Sequence, residues 1–155
     1  MSEMHCCFLE TPAGCLRIQA DETAVHEVSF QEKPGVSDPV LTPLLKQARR
    51  ELTEYFAGTR QSFDLPLCPS GTAFQLRIWQ VLQTIPYGTT ISYQQEAEAA
   101  GSPHAWRAVG GANGANPIVI LIPCHRVIRA DGSLGGYSAG LQRKAFLLHL
   151  EKSGR

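Results

Sequence analysis

The feature of this sequence that most restricts its fold is a short apolar run, residues 118–122, that stops abruptly at the sequence Pro-Cys-His-Arg of residues 123–126. A continuous apolar run of this length predicts a buried strand. It is far shorter than the ~20 apolar residues that a membrane-spanning helix needs, so we expect a chain that does not enter a membrane. The strand would end where polar and reactive side chains begin, which is where a site can be built.

Composition places the chain in the ordinary globular class. Its 155 residues are 43% hydrophobic and 18% charged, which predicts one domain or two small lobes rather than disorder. Five cysteines, an odd number without the spacing of a disulfide framework, favour a reduced, cytoplasmic protein. The first seven residues lack the basic-then-apolar order of a secretory signal, which agrees with that expectation.

The pattern of the chain changes near residue 68. The first lobe is predicted to contain three strands and one helix, at residues 6–10, 15–20, 24–30 and 43–57. A segment rich in glycine and proline, residues 58–71, is the predicted linker. Residues 69–155 read as mainly helical and carry eight Lys and Arg against four Asp and Glu. This asymmetry permits an anionic partner for the second lobe without requiring one.

Two short helices in the second lobe form a helix-turn-helix candidate. Ser92 and Gln95 have the spacing of a capping box, which predicts the start of the first helix, and Gly101 closes it. The second helix is predicted over residues 104–112 and carries Trp106, Arg107 and Ala108 in succession. Such a pair can enter a DNA groove, but a helix hairpin is also a common packing unit, and both interpretations stay open.

The second of these helices has small side chains at four positions: Ala108, Gly110, Gly111 and Ala112. Each glycine weakens a helix by ~1 kcal/mol relative to alanine, so their presence needs a reason. Small side chains would let the wall of a nucleic-acid groove approach the helix backbone. A tight crossing with another helix would explain them equally well.

Cys124 and His125 are the strongest candidates for chemistry. A thiol reacts as its thiolate, and a cationic or hydrogen-bonding partner lowers its pKa. Adjacent residues of a strand point to opposite faces, so the two side chains need a bridging water or a bent backbone, which Pro123 favours. A buried cysteine that serves only as a small hydrophobic residue is the alternative.

Glu151 is the predicted partner of the His125 imidazole. A Cys–His pair gains from a third group that holds the imidazole in one tautomer. Glu151 closes a predicted last helix whose apolar side would be formed by Leu141, Ala145 and Leu148. A carboxylate at that end opposes the helix dipole and is disfavoured unless it has a partner. A solvated terminal Glu is the alternative.

Several short motifs follow one another between residues 74 and 151. They are Ile-Pro-Tyr-Gly at 85–88, Ser-Tyr-Gln-Gln at 92–95, Arg-Ala-Val-Gly-Gly-Ala at 107–112, Asn-Pro at 116–117, Pro-Cys-His-Arg-Val-Ile at 123–128 and Gly-Gly-Tyr-Ser at 135–138. In this order they resemble the O6-alkylguanine-DNA alkyltransferases, also called methylated-DNA–protein-cysteine methyltransferases. One motif alone is weak, but the set is specific. The first lobe resembles the family only in outline.

The resemblance implies an α+β fold. A small N-terminal lobe of sheet and helix (1–68) would precede a mainly helical C-terminal domain (69–155) with a winged helix-turn-helix-like motif for DNA binding and alkyl transfer. The implied function is DNA repair. The alkyl group of O6-alkylguanine in double-stranded DNA would move stoichiometrically to Cys124 after the base flips out, which inactivates the protein. O4-alkylthymine is left open as a second substrate, and we expect a monomer without a cofactor.

The resemblance also implies catalytic roles for individual residues. His125, acting through a water molecule, would take the thiol proton of Cys124, and Glu151 would hold the imidazole. Asn116 would fix the turn that leads into the active-site strand. Tyr93 would hydrogen-bond or protonate the leaving guanine.

Contacts with DNA and with the flipped base are implied at the remaining motifs. Arg107 would enter the duplex in place of the extruded base, from a helix whose Ala108 and Gly111 leave room for the minor groove. Trp106 stands where relatives have small residues, and it would either obstruct the groove or stack on a sugar or base. The guanine and alkyl pocket would be formed by the Val127 backbone, Ser138 and Tyr137.

We predict no metal site in the N-terminal lobe. Some relatives hold a structural zinc there, and this lobe contains Cys6, Cys7, Cys15 and His26. The intervals between these residues match no standard zinc pattern. The position that would hold a cysteine before the histidine is Asp21.

Two other functions stay open from the sequence. A non-enzymatic sensor of alkyl lesions would flip the base without transfer, although proteins of that kind replace the nucleophile that Cys124 provides. A cysteine hydrolase would use Cys124, His125 and Glu151 as a triad, but nothing in the sequence marks an oxyanion hole.

Incubation with duplex DNA that carries O6-[methyl-³H]guanine separates these functions. We expect a transferase to take up to one label per chain, because the thiol is consumed, and the Cys124→Ala variant to take none. A sensor would bind the duplex without taking label. A hydrolase would neither bind nor take label.

Overall fold

The computed structural model describes residues 3–153, and the outermost residues of both predicted lobes (1–2 and 154–155) lie outside the described residues. The chain divides into two compact units between Ser70 and Gly71, two residues after the predicted boundary. The predicted α+β class is confirmed: the first unit holds a three-stranded sheet and one helix, and the second is mainly helical. Within the described residues no helix is long and apolar enough to cross a membrane.

The N-terminal unit is an antiparallel sheet with one helix. Its elements are β1 (His5–Thr11), β2 (Gly14–Ala20), β3 (Val25–Gln31) and α1 (Pro43–Phe56), and the strands lie in the order β1-β2-β3. The Thr42 hydroxyl caps α1 by accepting a hydrogen bond from the Leu45 amide, and proline at the first helical position suits that start. Ile18 and Leu16 of β2 and Leu52 of α1 are fully buried in the core of this unit.

Asp21, which directly follows β2 at the start of the turn, is the partner of His26. Its carboxylate accepts from the backbone amides of Thr23 and Ala24, and its Oδ2 lies 2.8 Å from His26 Nε2. These hydrogen bonds hold the pKa of Asp21 below its usual range. No group of three His, Cys, Asp or Glu residues within the described chain is arranged to hold a metal ion.

The C-terminal unit is built from four helices and a two-stranded parallel pair. Its elements are α2 (Ala73–Leu82), β4 (Ile91–Ser92), α3 (Tyr93–Ala99), α4 (Trp106–Gly114), a 3₁₀ turn (Cys124–Arg126), β5 (Val127–Ile128) and α5 (Leu141–Ser153). The predicted capping box of α3 is present: Ser92 Oγ accepts from the Gln95 amide, and Gln95 accepts from the Ser92 amide. Helices α2, α3 and α4 pack against one another. The indole of Trp79 donates to the Ala112 carbonyl at 2.8 Å and ties α2 to α4.

The predicted buried strand at residues 118–122 is wrong in conformation, although the burial is as predicted. All five residues are buried, but they form a tight turn in which the Ile122 amide donates to the Ile118 carbonyl. Ile120 has φ 74°, a left-handed conformation that is strained for a β-branched residue. An apolar run indicates that a segment is buried but not that its backbone is extended. Here the side chain of Asn116 stabilises the turn by hydrogen bonds to the backbone at both of its ends.

The predicted apolar side of α5 is also wrong. Leu141 is 49% exposed and Ala145 is exposed, and Leu148 is only half-buried, whereas the buried face consists of Lys144, Leu147 and Glu151. The spacing of these three residues, three and then four, keeps them on one side of a helix. Because two of the three are charged, a search for apolar periodicity selects the opposite side of this helix.

We expect the Trp79→Phe substitution to lower the free energy of unfolding by about 1–3 kcal/mol, because it removes a buried hydrogen bond and leaves space in the α2–α4 contact. Trp106, which is 50% exposed, provides the control. The Trp106→Phe variant should lose less than about 1 kcal/mol, the value of an exposed cation–π contact. Urea denaturation followed by circular dichroism measures both, and equal losses would contradict this account of the helix contact.

Candidate active site

The motif at residues 123–128 folds as a 3₁₀ turn that runs into a short strand. Residues Cys124–Arg126 form the turn, and Val127–Ile128 pair in parallel with Ile91–Ser92. The turn is the bent backbone that Pro123 favours, and it places consecutive side chains in the interior. Cys124 is 5% exposed and His125 is fully buried.

Asn116 holds both the backbone and the sulfur of the candidate nucleophile. Its Nδ2 donates to the Ile122 carbonyl at 2.7 Å and to Cys124 Sγ at 3.3 Å, while its Oδ1 accepts from the Ile118 amide. Burial raises the pKa of the Cys124 thiol to about 11, and the hydrogen bond from Asn116 works in the opposite direction. The resting cysteine is therefore a thiol that needs a base before it can react.

The His125 imidazole has one ring nitrogen that is free to accept a proton. Its Nε2 lies 2.6 Å from Glu151 Oε2, and its Nδ1 is buried without a partner among residues 3–153. Because a carboxylate accepts, Nε2 carries the proton and Nδ1 has the free lone pair. Burial lowers the pKa of His125 although Glu151 opposes the shift, so the imidazole is neutral at physiological pH.

Glu151 has a second strong partner that the sequence analysis missed. Arg126 donates from Nε to Oε1 at 2.8 Å and from Nη2 to Oε2 at 3.1 Å, and the Gly88 amide also donates to this carboxylate. Burial alone would raise the pKa of Glu151, but His125 and Arg126 together hold it well below its usual range. The sequence analysis named only His125 as the partner of this acid. Arg126, which follows His125 in the same motif, was the sequence signal for the second partner.

Cys124 opens into a cavity of about 130 Å³. Its other lining residues are Tyr93, Gly110, Asn113, Gly114, Gly136, Tyr137 and Ser138. The structure thus brings together four of the predicted site residues, Cys124, Tyr93, Tyr137 and Ser138, around one small space. Asn116, His125 and Glu151 support the cysteine from outside this lining, and Asn113 was not predicted.

A loop that borders the cavity is held by Lys144, the second residue that the sequence analysis missed. The buried ammonium donates to the carbonyls of Val127, Leu134 and Gly136 at 2.6, 2.5 and 3.0 Å. Burial lowers the pKa of Lys144 to about 8. A lysine at helical spacing from Leu147 and Glu151 was the sequence signal for this buried face.

The phenol of Tyr93 is fixed against the same loop. Its oxygen accepts from the Gly136 amide at 3.2 Å, which leaves the hydroxyl proton available for another acceptor. Gly135 has φ 75°, and a Cβ at that position would lie 2.6 Å from the Tyr93 oxygen. Only glycine therefore satisfies both the backbone conformation and the close approach of the loop to the phenol.

A larger and more open concavity of about 670 Å³ lies beside α4. Its lining includes Arg107, Trp106, His104 and Arg129, and no Asp or Glu is among the residues that form it. Of the four small residues predicted on α4, Ala108 and Gly111 are exposed and Gly110 is half-buried, whereas Ala112 is buried in the contact with α2. Part of this set is therefore open to solvent and part serves the helix crossing. The Arg107 guanidinium lies 5.0 Å from the Trp106 ring centroid. The lining therefore carries positive charge, and three of its residues are glycines.

Comparison with known proteins agrees with this geometry. Residues 4–69 match the family described as 6-O-methylguanine DNA methyltransferase, ribonuclease-like domain, and residues 73–153 match its DNA binding domain. The methylated-DNA–protein-cysteine methyltransferase of Methanosarcina acetivorans is 44% identical over 97% of this chain and 99% of that protein. The constitutive enzyme of Bacillus subtilis is 43% identical over 92% of both chains.

Solved structures give the same result. The O6-methylguanine methyltransferase of Mycobacterium tuberculosis superimposes with a TM-score of 0.89 at 41% identity, over 99% of this chain and 95% of that one. The same protein in complex with DNA gives a TM-score of 0.87 at 44% identity, over 97% and 94% of the two chains.

A helical DNA-binding unit with a buried cysteine beside a His–Glu pair defines a class of transferases that use their own thiol as the acceptor. This chain belongs to the O6-methylguanine DNA methyltransferase family. The predicted resemblance is confirmed, and with it the activity: DNA repair by transfer of an alkyl group to a protein cysteine.

We expect Glu151→Gln to lower the free energy of unfolding by about 3–5 kcal/mol at neutral pH, because it breaks a buried ion pair and leaves Arg126 without its anion. The native pKa of Glu151 is depressed, so its stabilising effect is present above the unfolded pKa of ~4.3 and is lost as the pH falls towards the native pKa. The difference between wild type and variant should therefore shrink below about pH 4.

Denaturant titrations across pH measure this difference. The exposed Glu22 supplies a control, since Glu22→Gln removes a carboxylate from a solvated position. A constant difference between wild type and Glu151→Gln down to acid pH would contradict the assignment of Glu151 as a buried anion.

Proposed function

We propose that Cys124 is the alkyl acceptor of this DNA repair protein, and that it takes the alkyl group of a flipped O6-alkylguanine in one irreversible step. The observation that carries the proposal is the position of Cys124. Its thiol faces a small cavity lined by two tyrosines, while the adjacent His125 is neutral and has Nδ1 unpartnered among the described residues.

The reaction is a displacement at the carbon attached to O6. The Cys124 sulfur forms the new S–C bond, the C–O6 bond breaks, and its electron pair leaves with the guanine. The thiol proton passes to His125 Nδ1 through one water molecule, and Glu151 stabilises the imidazolium that forms. The guanine takes up a proton to leave as the repaired base. Because a thioether is not readily hydrolysed, the cysteine is not regenerated and each chain acts once.

Two groups are placed to stabilise the charges of this step. Asn116 Nδ2 donates to the sulfur and favours its thiolate form. Tyr93 has a hydroxyl proton to offer because its oxygen already accepts from Gly136. We infer that this proton is donated to the guanine as negative charge develops on the base, which is where a preorganised donor is most effective.

Recognition of the base is assigned to the loop that Lys144 holds. The carbonyl of Val127 accepts from Lys144 and retains a second lone pair, with which it can accept from the guanine. Ser138 and Tyr137 line the cavity beside Cys124 and complete the pocket for the base and its alkyl group. Lys144 acts here as a positioning residue, since it contacts the loop and not the cavity.

DNA binding is assigned to α4 and the concavity beside it. The M. tuberculosis relative was solved in complex with DNA, and we assign double-stranded DNA as the partner of this chain. The exposed Ala108 and Gly111 let a minor groove approach α4, and Arg107 is the side chain that replaces the flipped base. Trp106 lies at the start of α4 against Arg107, so we assign its indole to stacking at the edge of the groove.

We place the protein in the cytoplasm, with access to DNA. The substrate is DNA, and all five cysteines of the chain are free thiols, which suits a reducing compartment.

Transfer of the ³H-methyl label from duplex DNA tests the activity, and peptide mapping of the labelled chain tests the acceptor. Label found on any residue other than Cys124 would contradict the proposal. The exposed Cys68 serves as the internal control because it is a thiol outside the site.

We expect Arg107→Ala to slow transfer from duplex DNA by at least tenfold and to leave the reaction with free O6-benzylguanine nearly unchanged. A free base has no helix to leave, so a residue that replaces the extruded base cannot assist it. Single-turnover rate constants on the two substrates measure the contrast. Arg50→Ala, which removes an exposed arginine from α1 of the N-terminal unit, is the matched control. Equal losses on both substrates for Arg107→Ala would refute the intercalating role.

A further inference from the structure

Glu96 and Asn113 form a buried polar pair that the transfer chemistry above does not use. Glu96 lies in the first turn of α3 and is fully buried, and Asn113 lies in the last turn of α4 and is 8% exposed. Asn113 Nδ2 donates to Glu96 Oε1 at 2.8 Å. The other buried residues of these two helices are Ala97, Val109 and Ala112, so this pair is a polar contact inside an otherwise apolar packing.

The carboxyl group of Glu96 decides how the Asn113 amide is turned. A carboxylate only accepts hydrogen bonds, so the amide nitrogen faces Glu96 and the amide oxygen faces away. Burial raises the pKa of Glu96 to about 7, against the hydrogen bond from Asn113 and the charge of Lys144. The carboxylate form of Glu96 therefore fixes this orientation, whereas a protonated carboxyl group can also donate its O–H to the amide oxygen.

Asn113 is also part of the wall of the cavity at Cys124. One N–H of its amide group is bonded to Glu96, and Oδ1 is the acceptor that Asn113 can offer to this space. Oδ1 is buried and has no partner among the described residues. In the proposed function this cavity of about 130 Å³ receives the base together with its alkyl group, and Asn113 is part of its wall.

A buried acceptor without a partner costs free energy, and a ligand that donates to it recovers that cost. An alkyl group with a terminal hydroxyl can donate to Asn113 Oδ1. An apolar alkyl group of the same size leaves the oxygen unsatisfied. The pocket should therefore react faster with an alkyl group that ends in a hydroxyl than with one of equal length that ends in a methyl group.

We propose that Glu96 and Asn113 set the alkyl-group specificity of Cys124 by holding a hydrogen-bond acceptor at the wall of the alkyl pocket. The inference rests on the proposed transfer to Cys124. It names O6-(2-hydroxyethyl)guanine as a preferred substrate over O6-propylguanine. The chemical step is the same for both: the carbon attached to O6 bonds to sulfur, the C–O6 bond breaks, the thiol proton goes to His125, and the terminal hydroxyl or methyl group takes no part in the bond change.

Single-turnover transfer from three duplexes that differ only in the adduct tests the proposal. The adducts are O6-methyl-, O6-propyl- and O6-(2-hydroxyethyl)guanine, and the measured quantity is the hydroxyethyl-to-propyl ratio of rate constants within each protein. For the wild-type chain we expect a ratio between about two and ten, the range that one net hydrogen bond supplies. Asn113→Leu removes the acceptor at similar size, and its ratio should fall to one or below.

Glu96→Gln is the milder second variant. A glutamine amide can meet either end of the Asn113 amide, so the orientation of Asn113 is no longer fixed and the ratio should fall between those of wild type and Asn113→Leu. Glu98→Gln makes the same chemical change at an exposed position of α3 and should keep the wild-type ratio. Partial unfolding of a variant lowers both rate constants by the same factor and so leaves their ratio unchanged. If Asn113→Leu does not fold, the ratio measured for Glu96→Gln tests the proposal.

The outcomes separate the inference from the function on which it rests. A wild-type ratio at or below one, or a variant ratio equal to that of wild type, overturns the specificity role of the pair while methyl transfer remains. Absence of transfer from all three duplexes would instead contradict the proposed function.

Discussion

The buried carboxylate of Glu151 is the contact on which the rest of the site depends. It lies near the end of α5, and its oxygens accept from His125 and Arg126 of the 3₁₀ turn and from the Gly88 amide before β4. A carboxylate taken out of water costs several kcal/mol unless it is fully paired, so these three elements hold one another in place. The same contact places the proton of His125 on Nε2 and leaves the lone pair on Nδ1, the atom to which we assign the role of base. In that proposal one arrangement both stabilises the unit and prepares the thiol.

Helix α5 buries charged side chains that position the site, where most helices bury apolar ones. Its buried face carries one cation, Lys144, and one anion, Glu151, at two turns of separation, and neither is paired with the other. Lys144 is satisfied by three backbone carbonyls of the loop and strand beside the cavity, and Glu151 by the turn that carries the cysteine. A wholly apolar face would pack as well or better. The charges instead fix two flexible segments with directed hydrogen bonds, which apolar contacts cannot do.

The resting site protects its nucleophile. Burial keeps Cys124 protonated at neutral pH, and the left-handed turn at Ile120, held by Asn116, presents the thiol to a cavity and not to bulk solvent. A thiol in this state is a poor target for adventitious reaction, because the thiolate is the reactive form. Two polar groups of the residues that line the same cavity, Asn113 Oδ1 and the Tyr137 hydroxyl, have no hydrogen-bond partner within the described residues. A ligand can supply the missing hydrogen bonds.

Local chemistry made two features predictable from the sequence: the capping box at Ser92 and Gln95, and the need of Glu151 for a partner. Each depends on residues that are adjacent or within one helical turn. The α+β class followed from the order of the motifs along the chain. The conformation of residues 118–122, the buried face of α5, and the roles of Arg126, Lys144 and Asn113 were decided only by the tertiary structure. A buried charge is stable only when distant groups satisfy it, and an apolar run can bury itself as a turn as well as a strand. The sequence shows that burying Glu151 or Lys144 would cost free energy. Only the folded chain shows which hydrogen-bond partners offset that cost.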